Sequence, residues 1–166
     1  MYEFAPSSEA AISKETLYAE LASSAAALVA GEPDAIANMA NVAALIWQFV
    51  PRLNWAGFYR VKGNELLLGP FIGKPACIRI PLGQGVCGTA AARQETQIVF
   101  DVHAFPGHIA CDGASRSELV VPVVLDGKVI AVIDLDSPVP ASFDEIDARG
   151  IEALATAVAQ AVCEAP

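Results

Sequence analysis

At 166 residues, 54% of them hydrophobic, the chain has the material for one packed core, which excludes an intrinsically disordered protein. A net charge of −9 with no Lys/Arg cluster excludes a phosphate-backbone binder, so no nucleic acid partner is expected. No apolar run reaches the roughly 18–20 residues of a membrane span, and the N-terminus lacks the basic and apolar regions of a signal peptide.

These features predict a cytoplasmic protein of one domain, residues 1–166, with no membrane contact. In that compartment the four cysteines rest as thiols, free for redox or metal chemistry, rather than as structural disulfides.

In chain order, Ser13 caps a predicted helix that runs to about Ala30 and is broken by Gly31-Glu-Pro33. Asp34 caps a second helix, whose Ile36, Met39, Ala43, Ile46 and Val50 recur at helical spacing before Pro51 ends it. The period then changes to two. Residues 54–61 read as a strand with Trp55, Gly57, Tyr59 and Val61 on one face. Lys62-Gly63-Asn64 turns the chain into a second strand, 65–72, and a short third is expected at 77–80. Residues 83–94 form a glycine-rich turn and short helix, and 96–100 another strand. The irregular stretch 101–117 contains both histidines and is long for a connection, as functional loops often are. Strands at 118–124 and 129–136 flank Asp126-Gly127, a hairpin signal. Ser142-Phe-Asp-Glu145 reads as a capping box for a last helix with Ile151, Leu154, Val158 and Val162 as its stripe, and with Cys163 on that helix near its end. Two helices, about six strands and a closing helix predict an α+β fold: an antiparallel sheet backed by helices on one face.

Five groups of residues carry chemistry. Gly83-Gln-Gly85-Val-Cys-Gly88 matches the dinucleotide pattern literally, but its helical stretch is too short for a parallel crossover. It reads as a tight turn. His103, His108 and Cys111, with Cys77 or Cys87, could supply zinc ligands, but no C-x-x-C pair supports this and both histidines read better as solvated loop residues. Cys111 opens Cys111-Asp-Gly-Ala-Ser115, a turn whose backbone N–H groups can face an anion.

Asp134 and Asp136 stand two apart on one strand, with Ile130 and Val132 on the same face. They are either the solvated end of the strand or part of a cleft that holds an ammonium group or manages a proton. A strict two-residue turn at Asp126-Gly127 pairs Leu119 with Asp134 and sends Glu118 to the opposite face. A longer turn, or a bulge near Pro122, brings Glu118 to the same face as the aspartates, and one of these is expected. Trp55 and Tyr59 read either as core aromatics or as a wall contacting an apolar ligand group.

Four segments together carry a resemblance: Asn54-Trp-Ala-Gly-Phe-Tyr59, Gly83 to Gly88, the run from His108 through Cys111 and Glu118 to Pro122, and Val132-Ile-Asp-Leu-Asp-Ser137. The chain resembles the free methionine-(R)-sulfoxide reductases, which are single-domain GAF proteins. The resemblance implies a GAF-like sheet with N- and C-terminal helices on one face and a ligand pocket on the other. It implies Cys111 as the thiol that attacks the sulfoxide sulfur, Cys77 as the thiol that resolves it, and Cys87 as a further exchange partner. Trp55 and Tyr59 would meet the substrate, and Glu118, Asp134 and Asp136 would hold its sulfoxide and amino groups. The amides of Asp112, Gly113, Ala114 and Ser115 would bind its carboxylate. The implied partners are free methionine-R-sulfoxide, thioredoxin as reductant and a second copy in a homodimer; no metal or organic cofactor is required. The alternative is a GAF module that binds a small molecule or senses redox state without turnover.

Overall fold

The computed structural model describes residues 12–107 and 112–164. Ser13 caps α1 (Lys14–Val29) by accepting from the Thr16 amide, and Asp34 caps α2 (Ala35–Phe49) through the Ala37 amide. Both caps are those expected. Ile36 differs: it is exposed, and α2 turns Met39, Val42, Ala43, Ile46 and Phe49 inward.

The strands β1 (Trp55–Lys62), β2 (Glu65–Gly73), β3 (Arg79–Pro81), β4 (Gln97–Val99), β5 (Ser117–Leu125) and β6 (Lys128–Ser137) form one sheet. Its order is β3-β2-β1-β6-β5-β4, with every pairing antiparallel. Helix α3 (Gly85–Arg93) connects β3 to β4, and among the described residues between β4 and β5 the one regular element is a 3-10 turn at Val102–Ala104. The helix α4 (Glu145–Val158) closes the fold, and Cys163 lies beyond its end rather than on it.

Strand alternation divides the interior in two. Ala56, Phe58, Leu119, Val121, Ile133 and Leu135 face α1, α2 and α4 and make the larger core. Trp55, Tyr59, Val120 and Val132 face the other way, toward α3 with its Val86, Cys87, Ala90 and Ala91. The sheet thus has a helical layer on one face and a smaller cluster around the candidate site on the other.

Two local departures from expectation have clear causes. The capping box of α4 is built on Asp144 and Asp147, not on Ser142 and Glu145. Asp147 is recruited because Lys14 of α1 reaches both aspartates, at 2.8 and 2.6 Å, and the Tyr18 hydroxyl donates to Asp147 at 2.8 Å. Ile130 packs toward the helical layer instead of sharing a face with Val132. The β5–β6 register shifts between Val123 and Val124, and this irregularity absorbs Ile130.

Candidate active site

The hairpin turn at Asp126 and Gly127, both at positive φ, pairs Leu125 with Lys128 as a two-residue loop does. Beyond the bulge the register has moved by one residue. Glu118 now lies opposite Asp136, and Val120 opposite Asp134. The expected bulge therefore exists, and all three carboxylates share the face away from the helical layer. Trp55 lies opposite Asp136 on the other side of β6, and Gly57 opposite Asp134. Three neighbouring strands, β1, β6 and β5, thus bring the acids and the indole to one cavity.

That cavity is lined by Trp55, Tyr59, Cys87, Asp112, Ser115, Glu118, Asp134 and Asp136, with Ala76, Ile80 and Val86 among its apolar contacts. Trp55 stacks on Tyr59 at 5.9 Å and on Phe71 at 5.2 Å. Both aromatics also hold the chain that carries Cys77: the Trp55 indole N–H donates to the Lys74 carbonyl at 3.1 Å, and the Tyr59 hydroxyl to the Cys77 carbonyl at 3.0 Å. The turn into that segment needs Gly73. Its φ is +138°, and a Cβ there would stand 2.6 Å from Trp55 Cδ1. Cys77 is half-buried in this connection, whereas Cys87 is buried on α3 with its Sγ 4.0 Å from Glu118 Oε1.

The loop 112–115 differs from the open anion turn read from the sequence. Asp112 Oδ1 takes the Ala114 amide at 2.9 Å, and its carbonyl takes the Ser115 amide at 3.2 Å. Of the four residues, Asp112 and Ser115 line the cavity, while Gly113 and Ala114 are exposed. Asn54 ties this loop to β1 by donating to Asp112 at 3.2 Å and to the Ser115 hydroxyl at 3.0 Å. Lys74 reaches Asp112 Oδ1 at 3.2 Å, an ion pair with no sequence signal. The Ala114 amide, with help from Lys74, holds the Asp112 carboxyl below its usual range. His108 and Cys111 lie outside the described residues, and His103 sits in the 3-10 turn.

A family model for the GAF domain matches residues 36–162. The chain is 48% identical over 143 residues to the free methionine-R-sulfoxide reductase of Escherichia coli strain K12, covering 86% of this chain and 87% of that protein. It is 46% identical over 152 residues to the free methionine-R-sulfoxide reductase of Saccharomyces cerevisiae, covering 87% and 84%. Among solved structures, the free methionine-R-sulfoxide reductase from Neisseria meningitidis in complex with its substrate superposes with a TM-score of 0.87 at 45% identity, covering 92% of each chain. The chain belongs to the GAF-domain free methionine-R-sulfoxide reductases.

Electrostatics give the GAF cavity its character. Glu118 and Asp134 are each 6% exposed. Burial, reinforced by repulsion from Asp136, pushes the Glu118 carboxyl well above its usual range. Burial, then Glu118 and Asp136, does the same to Asp134. Burial, then the neighbouring Asp134 and Glu118 carboxyls, raise the Cys87 thiol and favour its protonated form.

The two raised carboxyls have a cost in stability with a definite sign. Above the ordinary carboxyl pKa the unfolded chain has released these protons while the folded chain still holds them, so stability falls as pH rises until the folded groups also ionise. Asp134→Asn removes one of the competing charges. It should stabilise the fold by roughly 0.5–2 kcal/mol at neutral pH and flatten the decline toward alkaline pH. Urea unfolding at mildly acidic and mildly alkaline pH measures both effects; equal or lower stability of the variant at alkaline pH would contradict this account.

Proposed function

We propose that this chain reduces free methionine-R-sulfoxide to methionine with its own thiols. The carrying observation is one cavity in which buried carboxyls face a stacked tryptophan, in a chain 45–48% identical to reductases of that name. A sulfoxide oxygen leaves only when protonated, and a carboxyl kept protonated by burial is an acid suited to that task. Glu118 or Asp136 supplies the proton, Asp134 holds the substrate ammonium, and Trp55 with Tyr59 meets the S-methyl end. The substrate carboxylate displaces the Asp112 side chain from the Ala114 amide, leaving Asp112 to Lys74.

Cys111 thiolate attacks the sulfoxide sulfur. The oxygen passes to Cys111 as a sulfenic acid and methionine departs. The Cys77 thiol then displaces water from the sulfenic acid to form a disulfide, Cys87 being a further exchange partner. Thioredoxin returns both thiols by dithiol exchange. The protein acts in the cytoplasm as a homodimer of single GAF domains spanning residues 1–166. Among the described residues no helix is long and apolar enough to cross a membrane.

The deciding assay is thioredoxin-coupled reduction with free methionine-R-sulfoxide, the S epimer and a peptide containing the R-sulfoxide. Turnover of the free R epimer alone is expected. Failure to turn over any of them removes the reductase reading, and equal use of the peptide removes the recognition of both free ends.

A further inference from the structure

We infer that the cavity binds zinc through Cys87 Sγ and the carboxylates of Glu118 and Asp134, and that zinc competes there with the substrate. The competition, though not the metal site, rests on the reductase reading. One donor atom from each of the three residues lies within 4.8 Å of the other two, and all three side chains are buried. Among the described residues, Asp134 Oδ1 is buried and accepts no hydrogen bond, so one oxygen of the cluster faces the cavity without a described partner. Such an orphan is costly in a protein interior. Among the described residues lining the cavity none is Lys, Arg or His, and the neighbouring Lys74 pairs with Asp112, which is not one of the three donors.

The donor set selects the ion. Two carboxylate oxygens alone suit many cations, but a thiolate beside them favours a borderline-soft ion over magnesium or calcium. Zinc bonds of about 2.0–2.3 Å and tetrahedral angles put ligand atoms roughly 3.5 Å apart, so side-chain rotation of about 1 Å closes the cluster on the ion. Three protein donors leave a fourth position for water, as in open zinc sites. Binding releases the Cys87 thiol proton and any carboxyl proton to solvent and involves no electron transfer. A zinc ion in this place satisfies the orphan oxygen, occupies the acids that the sulfoxide and ammonium need, and leaves Cys77 untouched.

The test uses the reduced full chain. Zinc is titrated by calorimetry, and cobalt replaces it to report thiolate ligation by a near-ultraviolet charge-transfer band. One ion per chain and a clear band are expected. Cys87→Ser should remove the band and weaken zinc at least roughly tenfold, since loss of even an outer partner costs about that much. Glu118→Gln should also weaken zinc, and thermal unfolding of both variants shows whether the fold persists. The double variant Cys77→Ser/Cys111→Ser should keep both the band and the affinity. A band that survives Cys87→Ser, or vanishes in the double variant, places the metal elsewhere and overturns the proposal, as does the absence of zinc binding. Free methionine-R-sulfoxide should raise the apparent zinc Kd. Zinc bound through Cys87 but indifferent to the sulfoxide keeps the metal site and refutes the competition; turnover of the sulfoxide without zinc binding does the reverse to the metal site, leaving the reductase reading intact.

Discussion

Replacing Cys111 with serine should lower kcat/KM for free methionine-R-sulfoxide by on the order of 10⁴-fold or more, the scale on which enzymes lose activity with their nucleophile. Serine keeps the shape of the side chain, but its hydroxyl is far less nucleophilic at neutral pH and cannot accept the oxygen as a sulfenic acid. Cys111 is bonded to Asp112, which lines the cavity. The contrast with Cys77 makes the result specific. Cys77→Ser should still release about one methionine per chain and then stall, because its loss removes resolution and not attack. Rapid-quench measurement of methionine separates the two steps, with a sulfenic-acid trap marking the stalled form. If Cys111→Ser kept a tenth of the activity, or if Cys77→Ser gave no initial methionine, the division of labour between these thiols would be wrong.

Glu118→Gln should cost about 10²–10⁴-fold in kcat/KM, the usual contribution of a positioned general acid. The substitution preserves volume and can donate a hydrogen bond to the sulfoxide oxygen, yet it cannot release a proton. Glu118 is the stronger candidate acid because it combines near-complete burial with a carboxyl raised by that burial and by Asp136. Activity of the native protein should decline as pH rises through this raised pKa, since the acid must be protonated to act. The glutamine variant should lose that alkaline decline along with most of its rate. A variant that retained both would move the role to Asp136. Unfolding measurements on the same variant guard against misreading a folding defect, and they should show no loss of stability, since a buried carboxyl held protonated is replaced by a neutral amide of the same volume.

The parts of this fold legible in the sequence were those set by local rules. Ser13 and Asp34 cap the helices they were expected to cap, because an N-cap needs only an oxygen and the amide three residues on. Asp126-Gly127 specified the hairpin turn, and Glu118 could join the aspartates' face through a longer turn or a bulge, of which the register contains the bulge. What could not be read locally depended on distant partners. Ser142-Phe-Asp-Glu145 reads as a capping box, but the box forms on Asp144, whose partner Asp147 is engaged by Lys14 and Tyr18 on α1. Tyr59 reads in the sequence as a core aromatic or a wall for ligand; it lines the cavity, and its hydroxyl also serves the Cys77 carbonyl, a partner fixed only once β1 underlies the β2–β3 connection. The turn after Cys111 offered its amides to an anion on sequence grounds, but Asp112 within the same turn is itself the nearest anion. Local composition states which groups are available. It does not state which of them another group has already taken.

The irregularity at Val123 and Val124 also governs how this hairpin tolerates changes in length. Between the turn and Asp134 the chain works as a parity count, in which each residue added or removed exchanges the inward and outward sets. Losing Ile130, the residue the bulge absorbs, leaves a regular ladder with Asp134 and Asp136 still facing Trp55. Losing a residue between Ala131 and Ile133 instead directs those aspartates at the helical layer and leucine at the cavity, unless a new bulge forms. Two deletions a residue or two apart, nearly identical in composition, therefore have opposite consequences for the lineage that inherits them.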